Sequence, residues 1–171
     1  MAHAVFDHLA SSLPYSDGSD GYPKLVTDSA GTGAYHTGSP PDPRTLSTLE
    51  AHGISNYTHA ARKIAREDFQ RFDYIFAMDL DNLDDLMEMG KRVKDPKGRN
   101  WKDKVSLFGG WIEEGEVEEI EDPYYGDGEG FEVAFEQCVR FSKAWFRKIL
   151  EVDVEFGDSG DLVNRLSLIH I

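Results

Sequence analysis

Tyr74-Ile-Phe-Ala-Met78 constrains this chain more than any other stretch. It is an unbroken apolar run closed by Asp79. A short run without alternation reads as a buried strand, and buried strands belong to sheets covered by helices. Asp79 or Asp81 can cap a following helix, whose apolar stripe is Leu80, Leu83, Leu86 and Met87 and whose stop is Gly90.

The same alternation of strand and helix recurs along the chain. Ala2, Val5, Phe6, Leu9 and Leu13 trace one apolar stripe of a helix. Lys24–Ser29, centred on Leu25, Val26 and Thr27, predicts a short strand. Asp42-Pro43 starts a helix, with a capping carboxylate before a proline at the first helical position, and Gly53 marks its end. Thr58 to Phe69 reads as a loop running into a short helical turn, Lys91–Lys104 as a basic surface loop, and Val105–Phe108 as a third strand. Glu113 to Glu121 is an acidic loop. The longest helix runs from about Gly130 to Leu150, and Cys138 lies on its apolar face, where it reads as a small core residue. The predicted fold is α/β, a three-layer sandwich with a short parallel sheet flanked by helices.

At 171 residues one domain with its own core is expected. Lys and Arg number 18 against 32 Asp and Glu, a net charge of −14, which argues against general nucleic-acid binding. A local pocket for a phosphorylated substrate stays open, because anions are held by local amides and helix ends rather than by net charge. One cysteine allows no intrachain disulfide, and a reducing, cytoplasmic setting is expected. No apolar run reaches membrane-spanning length, and the first residues lack the regions of a signal peptide.

The stretch with chemistry in it is Glu121-Asp122-Pro123-Tyr124-Tyr125-Gly126. Pro123 fixes its own φ and pushes Asp122 towards an extended conformation, beside two tyrosines. A rigidly placed carboxyl is what a general acid requires. The same residues also read as a plain loop with two half-buried tyrosines. His59 likewise reads either as a site residue or as a histidine bonded to backbone.

Several stretches, taken in order, resemble the low-molecular-weight protein tyrosine phosphatases. They are Met1-Ala-His-Ala-Val-Phe-Asp-His-Leu9, Asp28-Ser-Ala-Gly-Thr-Gly-Ala-Tyr-His36 and Gly38-Ser-Pro-Pro-Asp-Pro-Arg44. Further along come Arg66-Glu-Asp-Phe69, Phe72-Asp-Tyr-Ile-Phe-Ala-Met-Asp79, Asn82-Leu-Asp-Asp-Leu86, Glu121 to Gly126, and Phe131 to Ala144. The resemblance implies a metal-free and cofactor-free hydrolase of phosphotyrosine proteins or aryl phosphates, working through a phosphocysteine. By matching position, Asp122 is the general acid, Tyr35 and Tyr124 flank the substrate ring, and Ser29 and His59 brace the phosphate-binding loop. No nucleic acid or membrane partner is implied.

One departure from the family is central. Family members carry Cys-x5-Arg-Ser on a loop between the first strand and the first helix, and this sequence has no Cys-x5-Arg. Met1 matches a methionine that often follows that loop, so the expectation is a domain over residues 1–150 incomplete at its N-terminus. The family's four-stranded sheet would lack its first strand, and the chain as written would be inactive. Residues 151–171 are expected to be a tail, disordered or artefactual. Two alternatives accompany this reading: a catalytically dead phosphotyrosine-binding module and an arsenate-reductase relative. The single cysteine argues against the second. Carboxylates at Asp79, Asp81, Asp84 and Asp85 lack the spacing of a calcium loop.

Overall fold

The computed structural model describes residues 1–13, 22, 24–94, 98, 100–112, 117–125, 129–154 and 156. At its centre β1 (Ile75–Ala77) pairs in parallel with β2 (Val105–Leu107), Ile75 opposite Val105 and Ala77 opposite Leu107. The connection between them carries a helix, Leu80–Gly90. Its N-cap is Asp79, whose Oδ1 accepts the Asn82 amide at 2.6 Å. The ladder continues past the strand ends: the Phe108 amide donates to the Ala77 carbonyl at 2.9 Å, and the Ile120 amide to Met78 at 2.8 Å.

Side chains alternate across a strand, so the two faces of β1 enter different cores. Ile75 and Ala77 join Phe69, Leu86, Leu83, Val105 and Leu107 under the Leu80–Gly90 helix. Phe76 and Met78 point the other way, into the larger core. There Phe76 stacks on Phe108 with centroids 5.0 Å apart. That core is closed by three helices, numbered with the rest in chain order. They are α1 (Ala2–Ser11), α2 (Pro43–Ala51) and α5 (Glu129–Leu150), while α3 is Asp68–Arg71 and α4 is Leu80–Gly90. Val5 and Leu9 of α1, Leu49 of α2, and Phe135, Phe141, Trp145 and Phe146 of α5 are all buried. Phe6 stacks on Phe146 at 4.8 Å. Helices on both faces of a short parallel sheet make the predicted three layers.

Local chemistry explains the helix ends. Asp42 caps α2 by accepting the Arg44 amide at 2.8 Å, with Pro43 following as the sequence implied. Within α5, the Ser142 hydroxyl donates to the Cys138 carbonyl at 2.7 Å, a satisfied polar group in a buried turn. At Gly109 the backbone bridges Glu118, and a Cβ there would collide with the Glu118 carbonyl. Only glycine fits so close an approach.

Three expectations are corrected. Lys24–Ser29 is not a strand: residues 24–30 form no ladder, and among the described residues β1 pairs only with β2. A Leu-Val-Thr run becomes a strand only beside a pairing edge, and here the segment is held by side chains instead. The Thr27 hydroxyl donates to Asp7 Oδ1 of α1 at 2.9 Å. Secondly, the 91–104 stretch is not all surface loop. Trp101–Lys104 forms a 3-10 turn in which Trp101 packs on Gly90 and Lys104 is buried. The Lys104 ammonium donates to the carbonyls of Phe69 at 2.7 Å and Phe72 at 3.2 Å, covering acceptors at the end of α3. Thirdly, the domain does not stop at Leu150. Val152 and Val154 are 1% and 6% exposed in the main core, and Phe156 packs against Phe135 and His8. Apolar residues on alternate positions beyond the helix give the reason. Residues 157–171 of the expected tail lie outside the described residues.

Candidate active site

Two groups of side chains carry the predicted chemistry. The first gathers around Ser29. This residue sits near the end of the 24–30 segment, and its hydroxyl lies 3.1 Å from His59 Nε2 and 3.4 Å from His3 Nδ1. Tyr57 OH approaches the same His3 nitrogen at 2.9 Å, and the His3 and His59 rings meet edge to face at 5.2 Å. Below them, the Asp28 carboxylate accepts the Ser29 amide at 2.8 Å and Arg62 Nε at 3.0 Å. Arg62 also donates to Asp68 at 2.7 Å.

This arrangement follows from how 57–64 is tied down. The Gly31 amide bonds the Arg62 carbonyl and the Ile64 amide bonds the Gly31 carbonyl, both at 2.9 Å. Gly38 N donates to the Ala61 carbonyl at 2.7 Å, and Ala61 N to Ser39 at 2.9 Å. The 31–39 loop is therefore clamped at both ends onto the stretch that carries His59, and Tyr35 stands at its tip.

Electrostatics favour a neutral His3 ring and a neutral Tyr57 phenol beside a charged Asp28. Burial, then the neighbouring His59, push the His3 imidazolium down. Burial pushes the Tyr57 phenol up. For Asp28, burial acts to raise the carboxyl, but the Arg62 and Ser29 bonds outweigh it and hold the group below the usual carboxylate range.

The second group is the turn that carries Asp122 and Tyr124. Asp122 is exposed, and its Oδ1 accepts the Tyr124 amide at 2.9 Å, closing a local turn on the 3-10 segment Pro123–Tyr125. Pro123 rests against Gly130 in the first turn of α5, so the longest helix supports the turn from below. Tyr124 is 57% exposed. The Arg44 guanidinium lies 5.1 Å from the centre of its ring and 4.6 Å from that of Phe131, and is paired with Asp42 at 2.9 Å.

The structure thus brings the sequence-predicted residues together in two pairs, Ser29 with His59 and Asp122 with Tyr124. Tyr35 is 95% exposed, its ring beside Gly33. Sequence reasoning assigned no site role to His3, Tyr57, Asp28, Arg62 or Arg44. His3 and Tyr57 are 54 positions apart and meet only through the fold. A polar residue just off the apolar stripe of α1 was the one signal available for His3.

Cys138 is settled by its surroundings. It is buried in α5, and burial pushes its thiol up to about 12, so it carries no thiolate near neutrality. Counting six positions on reaches Ala144, so it does not open a Cys-x5-Arg loop either.

The sequence resemblance led to the expectation of a phosphatase family for this three-layer α/β domain, and comparison with known proteins agrees. The family described as low molecular weight phosphotyrosine protein phosphatase matches residues 1–155. The Schizosaccharomyces pombe enzyme of that name is 46% identical over 149 residues, 87% of this chain and 87% of that protein. The Sus scrofa enzyme is 40% identical over 149 residues, 87% of this chain and 86% of its own length. Among solved structures, a protein tyrosine phosphatase from Entamoeba histolytica superposes with a TM-score of 0.71 at 27% identity, covering 88% of this chain and 87% of that one. The drosophila arginine phosphatase gives 0.71 at 32% identity over 86% and 87% of the two chains. This chain belongs to the low molecular weight phosphotyrosine protein phosphatase family. No helix among the described residues is long and apolar enough to cross a membrane.

Proposed function

We propose that this domain serves the hydrolysis of phosphotyrosine monoesters through a phosphocysteine, with Asp122 as the general acid and base. A phenolate leaves poorly from phosphorus unless it is protonated as the P–O bond breaks. The family nucleophile, a thiolate, attacks phosphorus while Asp122 gives its proton to the departing phenol oxygen. Water then attacks the phosphocysteine and passes a proton back to Asp122, releasing phosphate and the thiolate. The observation that carries this reading is the acid turn. Asp122 is exposed, oriented by the Tyr124 amide, and flanked by an aromatic ring that is itself 57% exposed.

In this role Tyr35 and Tyr124 flank the substrate ring, and Ser29 with His59 braces the phosphate-binding loop. Their 3.1 Å contact supports the bracing role. The substrates are phosphotyrosine proteins or small aryl phosphates, and the setting is the cytoplasm. The chain as sequenced is inactive in this reading. Its one thiol is buried and protonated, and the sequence has no Cys-x5-Arg cradle for the phosphate.

Two assays test this. The purified chain should show no turnover of p-nitrophenyl phosphate above background, because loss of a covalent nucleophile costs on the order of 10⁶ in rate. A version carrying a strand and a Cys-x5-Arg-Ser loop ahead of Met1 should turn over, and Asp122→Asn in it should slow cleavage by about 10²–10⁴-fold. Vanadate-sensitive turnover by the first protein would refute inactivity. An unchanged rate for Asp122→Asn would place the acid elsewhere.

A further inference from the structure

Three ligand-type atoms converge at one point beside the Ser29 cluster. A ring nitrogen of His3, a ring nitrogen of His59 and a carboxylate oxygen of Asp28 all lie within 4.8 Å of one another. They arrive from different parts of the chain: His3 from the first turn of α1, Asp28 from the 24–30 segment, and His59 from the stretch clamped to the Tyr35 loop. From this convergence we propose that His3, Asp28 and His59 form a binding site for one divalent transition-metal ion, with zinc as the best-matched ion.

The donor set decides the metal class. Two imidazoles and one carboxylate, with no thiolate, form the three-protein-ligand pattern of open zinc sites, in which water completes a tetrahedron. Calcium and magnesium ask for six or more oxygens and are poorly served by two nitrogens. The carboxylate is also pre-set. The Arg62 guanidinium and the Ser29 amide hold Asp28, and Asp68 holds Arg62 in turn, so the oxygen facing the histidines is oriented before any ion arrives. The Asp28 side chain is 23% exposed, which leaves a route for the ion. The Ser29 hydroxyl now sits between the two ring nitrogens, at 3.1 and 3.4 Å. The Tyr57 hydroxyl lies 2.9 Å from the same His3 nitrogen, so hydroxyl groups already meet both rings where the ion would bind.

This site is distinct in chemistry from the proposed hydrolysis, which needs no metal, although it shares His59 with it. It is tested on the untagged chain without any activity measurement. Calorimetric titration with zinc chloride should show one equivalent bound, and thermal unfolding should shift upward with zinc because the three ligands converge only in the folded state. Magnesium chloride should give neither effect. His3→Gln and His59→Gln, each checked for folding by circular dichroism, should weaken zinc binding at least about tenfold, a loss that altered outer-shell partners alone already produce. His36→Gln, on an exposed histidine outside the cluster, should change nothing. As a readout independent of the variants, cobalt chloride should bind with the intense visible absorption of a four-coordinate ion. No zinc binding, affinity unchanged in both cluster variants, or a weak six-coordinate cobalt spectrum would each overturn the proposal.

Discussion

Replacing Arg62 by methionine should cost far more stability than removal of an ordinary surface cation. Arg62 joins two carboxylates at once: Nη1 and Nη2 reach the oxygens of Asp68 at 2.7 and 3.3 Å, and Nε reaches Asp28 at 3.0 Å. Side-chain exposure separates the two pairs, 10% for Asp68 and 23% for Asp28, against 31% for Arg62 itself. Breaking a fully buried pair from one side costs about 3–5 kcal/mol, and an exposed pair is worth about 0–1 kcal/mol. Asp68 keeps the Ala65 amide at 2.8 Å after the substitution, which softens the loss. Arg62→Met should therefore destabilise by about 2–3 kcal/mol. In urea unfolding followed by tryptophan fluorescence, the midpoint should fall with an unchanged slope. Adding Asp68→Asn should then restore part of the loss, since the stranded buried charge is gone. A cost of the single variant below about 0.5 kcal/mol would refute the reasoning, because the pair would then behave as a solvent-screened surface contact.

Further outcomes follow from packing and titration. Phe141 is fully buried and meets Phe108 edge to face at 5.7 Å, so Phe141→Ala should cost about 3–5 kcal/mol in the same unfolding experiment. Gly109→Ala should cost about 1–3 kcal/mol or more, since the new methyl group meets the Glu118 carbonyl rather than a side chain that could yield. His8 has a buried Nε2 with no hydrogen-bond partner among the described residues, and burial pushes its imidazolium down against the opposing pull of Asp7. The folded state therefore binds that proton less readily than the unfolded chain. Stability from His8 is complete above the unfolded value of about 6.5 and is lost as pH falls towards the folded one. Melting temperatures at pH 7.5 and 5 should differ less in His8→Phe than in the parent chain.

Much of the scaffold was legible because local signals and burial agreed. The stripe Val5, Phe6, Leu9 became the packed face of α1, Asp42-Pro43 started α2 and Asp79 capped α4. Failures came where a partner remote in sequence decides. Residues 24–30 have strand composition but no ladder, and Lys104 reads as a surface cation until the carbonyls of Phe69 and Phe72 take up its ammonium. The site divides the same way. Asp122 and Tyr124 are neighbours in sequence, and the turn geometry was implied by Pro123. Ser29 and His59 were assigned through the family resemblance, and their contact spans 30 positions. His3 and Arg62 join the cluster only through the folded chain.

The bridge at Gly109 and Glu118 has a consequence for how this protein can vary. Glu118 is fastened twice, by its backbone to Gly109 and by its carboxylate to both terminal nitrogens of Arg140 at 2.6 and 2.7 Å. Two positions later Ile120 is tied to Met78, and two beyond that lies Asp122. The clasp thus sets where the turn carrying Asp122 begins. A loop twice as long costs only about 0.6 kcal/mol more to close, so length added between Ile112 and Val117 should leave the position of that turn unchanged. A single residue added between Glu118 and Asp122 should not.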